Sequence, residues 1–252
     1  MSPPGLLLLH GFTGSAASWD ELCRALGSRL QTLAADLVGH APPPAPADPA
    51  RYSMEACVEE LRALLEGPTC VLGYSMGARV ALHLALAVPE GIAGLVLESA
   101  SPGIEDPNER AARVAADEEL ATFIEQRGLE AFVERWERTP LLALGPHVPE
   151  AARTRQREQR LARDPRGLAS SLRGMGAGRQ APVWHRLPEL RLPVLLIVGE
   201  RDTKYQAIAQ RMLELLPRAR LEVVPDAGHT VHLEQPARFA AVVTEFVESL
   251  TR

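Results

Sequence analysis

The stretch C-V-L-G-Y-S-M-G-A-R-V-A-L-H-L-A-L-A, residues 70–87, joins a short apolar run to a helical pattern through the pentapeptide G-Y-S-M-G, residues 73–77. Strand, sharp turn, helix is the context in which a G-x-S-x-G sequence lifts a serine out of the end of a sheet. The turn explains the glycines. It strains the serine's backbone, and side chains at the flanking positions would collide across it. Read without its neighbours, the pentapeptide is equally a Gly-rich turn carrying an inert serine.

Working outward, apolar runs bounded by Gly, Pro or Asp start at Leu6, Thr32, Leu95, Val194 and Leu221. They are continuous rather than alternating, as strands buried on both faces require. Helical patterns from Trp19, Met54, Met76 and Phe239 lie between most of them. The alternation predicts an α/β fold with a mostly parallel, doubly wound sheet. It fails over residues 101–190, which are charged, helical in pattern and broken by Pro140, Pro146, Pro149 and Pro165. The expected organisation is a core of residues 1–100 and 191–252, with residues 101–190 inserted as a helical lid over the carboxyl edge of the sheet, where such folds bind ligands.

With 252 residues, 46% hydrophobic, and a formal charge of -5, the chain has no global attraction to nucleic acid or an anionic membrane. Any anion site must be local. Cys23, Cys57 and Cys70 are widely spaced in apolar surroundings and read as free thiols of a reducing compartment. The N-terminus lacks the basic segment and long apolar run of a leader, so a cytoplasmic location without membrane insertion is expected. His10, His40, His83, His147 and His185 show no metal-ligand spacing, so each defaults to a structural role, and neither metal nor cofactor is expected. The composition leaves association open between a monomer and a small homo-oligomer. Lys204 is the sole lysine, in G-E-R-D-T-K-Y.

Two residues downstream complete a catalytic set. Asp202 follows the run ending at Gly199, and His229 follows the run ending at Pro225, giving the order Ser75, Asp202, His229 at strand ends. In that arrangement His229 takes the proton of Ser75 while Asp202 orients the imidazole. His232 is the competing histidine, read as lying beside the site or at the surface. The backbone N–H groups of Met76, after the serine, and Phe12, in H-G-F-T-G (10–14), are the expected oxyanion donors. Arg79 follows Ser75 by four residues and shares its helical face, which suggests an anionic substrate. Residues 151–180 hold eight arginines against two acids, most of them expected to be solvated surface.

These stretches resemble a known family. The pattern looks like the α/β-hydrolase superfamily. L-L-H-G-F-T-G-S, G-Y-S-M-G-A-R, the segment from Ser101 to Arg113, F-V-E-R-W, the segment from Gly167 to Gln180 and G-E-R-D-T-K-Y resemble the 2-succinyl-6-hydroxy-2,4-cyclohexadiene-1-carboxylate synthases of menaquinone biosynthesis. The resemblance implies a lyase that removes a proton between the ring carboxylate and the succinyl ketone of a tricarboxylate and expels pyruvate, with the triad serine as base. It implies carboxylate-binding roles for Arg79, Arg113, Arg160 and Lys204, with Tyr74, Trp136 and Tyr205 packed nearby, and no cofactor. The initial hairpin of the fold is expected to be absent. Ala41, Ala78 and Leu142 depart from the usual pattern. A carboxylesterase or thioesterase for a small anionic ester uses the same triad, and a noncatalytic anion binder shares the fold, so both remain open at this point.

Overall fold

The computed structural model describes residues 4–251; the three N-terminal residues, which belong to the leader and hairpin readings, lie outside the described residues. In chain order the main elements are β1 (Leu6–Leu9), α1 (Asp20–Leu26), β2 (Thr32–Ala35), α2 (Met54–Arg62), β3 (Thr69–Tyr74), α3 (Met76–Ala87) and β4 (Ile92–Glu98). There follow α4 (Pro107–Glu137), α5 (Glu150–Leu161), α6 (Pro165–Met175), β5 (Val194–Gly199), α7 (Thr203–Leu215), β6 (Ala219–Val224), α8 (Val231–Glu234) and α9 (Pro236–Ser249). The six described strands form one sheet in the order β2-β1-β3-β4-β5-β6, every pairing parallel.

The apolar runs are continuous because both faces of the sheet are covered. Leu7 and Leu9 join Val71, Leu95, Leu97, Leu196 and Val198 against α2 and α3. Their alternates Leu6, Leu8, Cys70, Leu72, Val96, Leu195 and Ile197 meet Trp19, Phe239, Val243 and Phe246 on the opposite face. Cys57 and Cys70 are buried in these layers, where the apolar surroundings push the Cys57 thiol up to about 12 and raise that of Cys70 further. Both are packing residues. No helix among the described residues is long and apolar enough to cross a membrane.

The stretch between β4 and β5 carries α4, α5 and α6. The sequence suggested that prolines would cut it into short pieces, yet α4 runs 31 residues and is interrupted only at Gly128, where φ is 76°. Its first residue is Pro107, and Pro165 likewise opens α6: prolines start these helices, where a missing N–H is harmless. Ala121, Ile124, Phe132, Val133, Leu168 and Leu172 make a separate apolar cluster that reaches Phe12 and Trp136. The two ends of the insertion are stitched together. Val183 N–H donates to the Pro102 carbonyl at 2.8 Å, and Trp184 Nε1 to that of Gly103 at 2.9 Å.

The joint between β3 and α3 is tightly packed. Ser75 sits there at φ 50°, a left-handed conformation that costs a non-glycine residue about 1–3 kcal/mol. It is held by near contact of backbones on both sides: a Cβ on Gly73 would strike Gly77, and one on Gly77 would strike the carbonyl oxygens of Leu9 and His10. Gly77→Ala should therefore cost at least about 1–3 kcal/mol. It should lower the urea midpoint at unchanged slope; an unmoved midpoint would show that β1 and α3 have room to spare.

Candidate active site

The carboxyl ends of β3, β5 and β6 bring three distant residues together. His229 Nε2 lies 3.1 Å from Ser75 Oγ, and His229 Nδ1 lies 2.6 Å from Asp202 Oδ2. Asp202 and His229 are buried, so their mutual contact works in a low-dielectric setting. Local structure fixes both. Asp202 caps α7, its Oδ1 accepting from Tyr205 N–H at 3.3 Å. His229 is held by its own carbonyl, which accepts from Ser99 Oγ at 2.9 Å, and by the Tyr205 ring at 4.5 Å between centroids. A histidine between a serine hydroxyl and a buried carboxylate can draw the hydroxyl proton onto Nε2 while its Nδ1–H stays bound to the acid.

Phe12 and Met76 line the same cavity as Ser75. Met76 opens α3, where the first N–H groups have no helical acceptor. Phe12 lies in the turn closed by Gly14 N–H on the Gly11 carbonyl, its ring against Trp136 at 5.4 Å and Phe132 at 6.2 Å on α4. His10 anchors the turn: Nδ1 donates to the Gly11 carbonyl at 2.8 Å, and Nε2 accepts from Leu37 N–H at 3.1 Å. His40 packs 5.0 Å from it. Burial lowers His10 to about 4 and His40 to about 3, so both rings are neutral framework.

Two cavities meet at the serine. The larger, about 810 Å³, includes Ser75, Met76, Arg79, Arg113, Trp136, Lys204, Tyr205 and His229 in its lining. The smaller, about 120 Å³, includes Ser75, Tyr74, Trp136 and Arg160. The four cations named from the sequence thus divide. Arg113 is bound to Asp117 through Nε at 2.8 Å. Arg160, buried in the smaller cavity, donates to Glu137 at 3.1 Å, and its Nε has no partner. Lys204, in the first turn of α7, has no carboxylate partner among the described residues.

Arg79 stands apart from the rest. It donates to the Met175 carbonyl at 2.9 Å and to Gln180 Oε1 at 3.2 Å, and it forms no ion pair among the described residues. Desolvation lowers its pKa to about 10, which leaves it charged at neutral pH. Most other arginines of residues 151–180 are spent on structure. Arg155 pairs with Glu21, Arg157 with Glu137, and Arg173 with Glu118 and Glu125.

Three residues around the site escaped the sequence reading. Glu98, fully buried at the end of β4, holds His232 Nδ1 at 2.8 Å and its N–H at 3.0 Å. His232 is therefore a buried residue packed on Trp19 and Tyr74, and the surface reading of it is corrected. Glu234 accepts from Gly228 and Gly145 N–H and from Arg201, tying the acid loop, the histidine loop and the insertion together. Gln180 touches Arg79. Only the apolar spacing of V-H-L-E around His232 and Glu234 hinted at burial.

A parallel sheet with a serine elbow, a capping acid and a histidine at its carboxyl edge defines a class. The chain belongs to the alpha/beta hydrolase family, whose model matches residues 6–242. Within it, the chain is 44% identical over 250 residues, 97% of this chain and 90% of the relative, to a Bacillus subtilis protein named provisionally as a 2-succinyl-6-hydroxy-2,4-cyclohexadiene-1-carboxylate synthase. It is 30% identical to the synthase of that name from Enterobacter sp. (strain 638), over 97% of this chain and 92% of the relative. The solved structure of MenH from S. aureus superposes with a TM-score of 0.95 at 29% identity, covering 100% of this chain and 96% of that one.

The buried neutral histidines carry a pH signature. Their folded pKa values, about 4 for His10 and about 3 for His40, lie below the ordinary value of 6.5, so the unfolded chain binds more protons in between. Stability is full above pH ~6.5 and falls as the pH drops toward ~4. Thermal midpoints should begin to decline near pH 6.5, ahead of the carboxylates; a flat profile down to pH ~4.5 would mean that the rings are charged in the native state.

Proposed function

We propose that this chain is a carbon-oxygen lyase of menaquinone biosynthesis. It would convert 2-succinyl-5-enolpyruvyl-6-hydroxy-3-cyclohexene-1-carboxylate to 2-succinyl-6-hydroxy-2,4-cyclohexadiene-1-carboxylate and pyruvate. The observation that carries the reading is the half-buried, desolvated charge of Arg79 beside Ser75, which has no ion-pair partner among the described residues. An esterase for neutral substrates has no use for a desolvated cation at that place, whereas a tricarboxylate supplies its counter-ion. The likeness to the named synthases supports the same choice.

In this reading Ser75 is a base. Its proton passes to His229 Nε2, held by Asp202, and the serine oxygen then takes the proton from the carbon next to the succinyl ketone. The C–H electrons form a ring double bond, the existing double bond shifts by one position, and the C–O bond to the enolpyruvyl group breaks. The leaving enolate receives the proton from His229 and becomes pyruvate. Phe12 and Met76 N–H groups hold the charge that develops on the ketone oxygen. Arg79, Arg113, Arg160 and Lys204 bind the carboxylates, and Tyr74, Trp136 and Tyr205 wall the cavity. Residues 101–190 serve as the lid over a core of residues 1–100 and 191–252, and the reaction takes place in the cytoplasm on a small molecule.

The test is a coupled pyruvate-release assay with the enolpyruvyl substrate. The wild type should release pyruvate and Ser75→Ala should not exceed the spontaneous rate; equal rates for the two would sink the assignment. Arg79→Ala should lose about 2–5 kcal/mol in kcat/KM, the cost of removing one partner of a buried charge pair. Unchanged kinetics would take Arg79 out of the site. Lys204→Arg asks whether a compact ammonium is needed at the start of α7: a wide planar fork should weaken turnover there, and full activity would mean that any cation serves.

A further inference from the structure

Arg79 poses a problem that the paired arginines do not. Its guanidinium is desolvated, yet both of its protein partners are neutral. Asp117, the buried carboxylate in the same cavity wall, is bound through Oδ1 by Arg113 at 2.8 Å and makes no direct pair with Arg79, acting on it only at a distance. Two acceptors orient Arg79, the Met175 carbonyl and the side-chain amide of Gln180, and the amide, itself 1% exposed, is the one a side-chain change can alter. The amide has a fixed polarity: its Nε2 donates to the Ser101 carbonyl at 3.3 Å, so its oxygen must face Arg79. A carboxylate of the same shape would accept from Arg79 equally well. It would also cancel the charge and set an oxygen against the Ser101 carbonyl.

We propose that Gln180 determines the specificity for anionic substrates: it aims Arg79 into the cavity beside Ser75 while leaving its positive charge for a substrate carboxylate to neutralise. The inference rests on the function proposed above for the identity of that carboxylate. Gln180 acts through Arg79 and is a positioning residue. Its place in the chain adds a consequence. Ser101 and Gln180 stand at the two ends of the insertion, beside the Val183–Pro102 and Trp184–Gly103 hydrogen bonds, so the same amide registers the insertion against α3. Anion recognition and the seating of α4–α6 over the site therefore share one contact.

Two variants separate charge from aim. Gln180→Glu keeps the shape and the acceptor but neutralises Arg79; Gln180→Met removes the acceptor and keeps the charge. KM and kcat for pyruvate release are measured for both, together with calorimetric binding of succinate, a simple dianion, to the wild type, both variants and Arg79→Ala. Gln180→Glu should raise KM and weaken succinate binding by about an order of magnitude or more, approaching Arg79→Ala, with kcat much less affected. Gln180→Met should lose clearly less affinity. A role in packing alone would instead lower the thermal midpoint of both variants and leave their affinities alike. Gln180→Glu with wild-type affinity, or Gln180→Met as weak as Gln180→Glu, overturns the proposal. So does wild-type binding of succinate no tighter than that of Arg79→Ala. If the wild type released no pyruvate while succinate affinities kept the expected order, the lyase reading would fall and the role of Gln180 toward anions would stand.

Discussion

The site depends on one strained backbone position. Ser75 is kept at φ 50° because Gly73 and Gly77 let β3, the turn and the start of α3 pass at backbone contact with β1. That contact determines three things together. It exposes the serine hydroxyl to His229, it starts α3 with Met76 in the wall of the same cavity, and it places Arg79 one turn along the helix. Moving the elbow by a methyl group would misalign all three. The strain is repaid by the apolar layers on either face of the sheet, where strand residues such as Leu8, Leu72 and Val71 are wholly buried.

Charge separates the chemistry from the scaffold. The arginines of α5 and α6 mostly face glutamates, and exposed pairs of this kind contribute about 0–1 kcal/mol each. They position helices; Arg160, buried and with a free Nε in the smaller cavity, is the exception. Arg79 differs because, among the described residues, no carboxylate pairs with it directly and its desolvation outweighs the more distant charge of Asp117, a state that a folded protein tolerates when a ligand supplies the missing charge. Lys204 adds to the same cavity a second cation without a carboxylate partner among the described residues, on the helix that Asp202 caps. Acid and cation are therefore fixed by a single helix start.

The fold and the triad were legible because each is written locally. The elbow needs glycines within five residues, the strands are continuous apolar runs, and Asp202 and His229 follow strand ends. What stayed hidden depends on pairing across the chain. His232 is buried because Glu98, 134 positions earlier, turns its carboxylate inward from the end of β4. Nothing adjacent to either residue announces the other. Arg160 illustrates the same limit: other arginines stand three residues away on either side, and only the packing of α5 on α4 puts it in a buried cavity on Glu137. Gln180 lies in a segment quoted for its resemblance, but its bond to Arg79 spans 101 positions.

The central claim is that a hydrolase-like triad here acts as a base toward carbon, with unpaired cations holding a polyanion above it. Single-turnover pyruvate release with substrate deuterated at the carbon next to the succinyl ketone tests it most directly. If Ser75 removes that proton in the step that expels pyruvate, the deuterated substrate reacts several-fold more slowly in the wild type. Equal rates for the two isotopic forms would contradict the account.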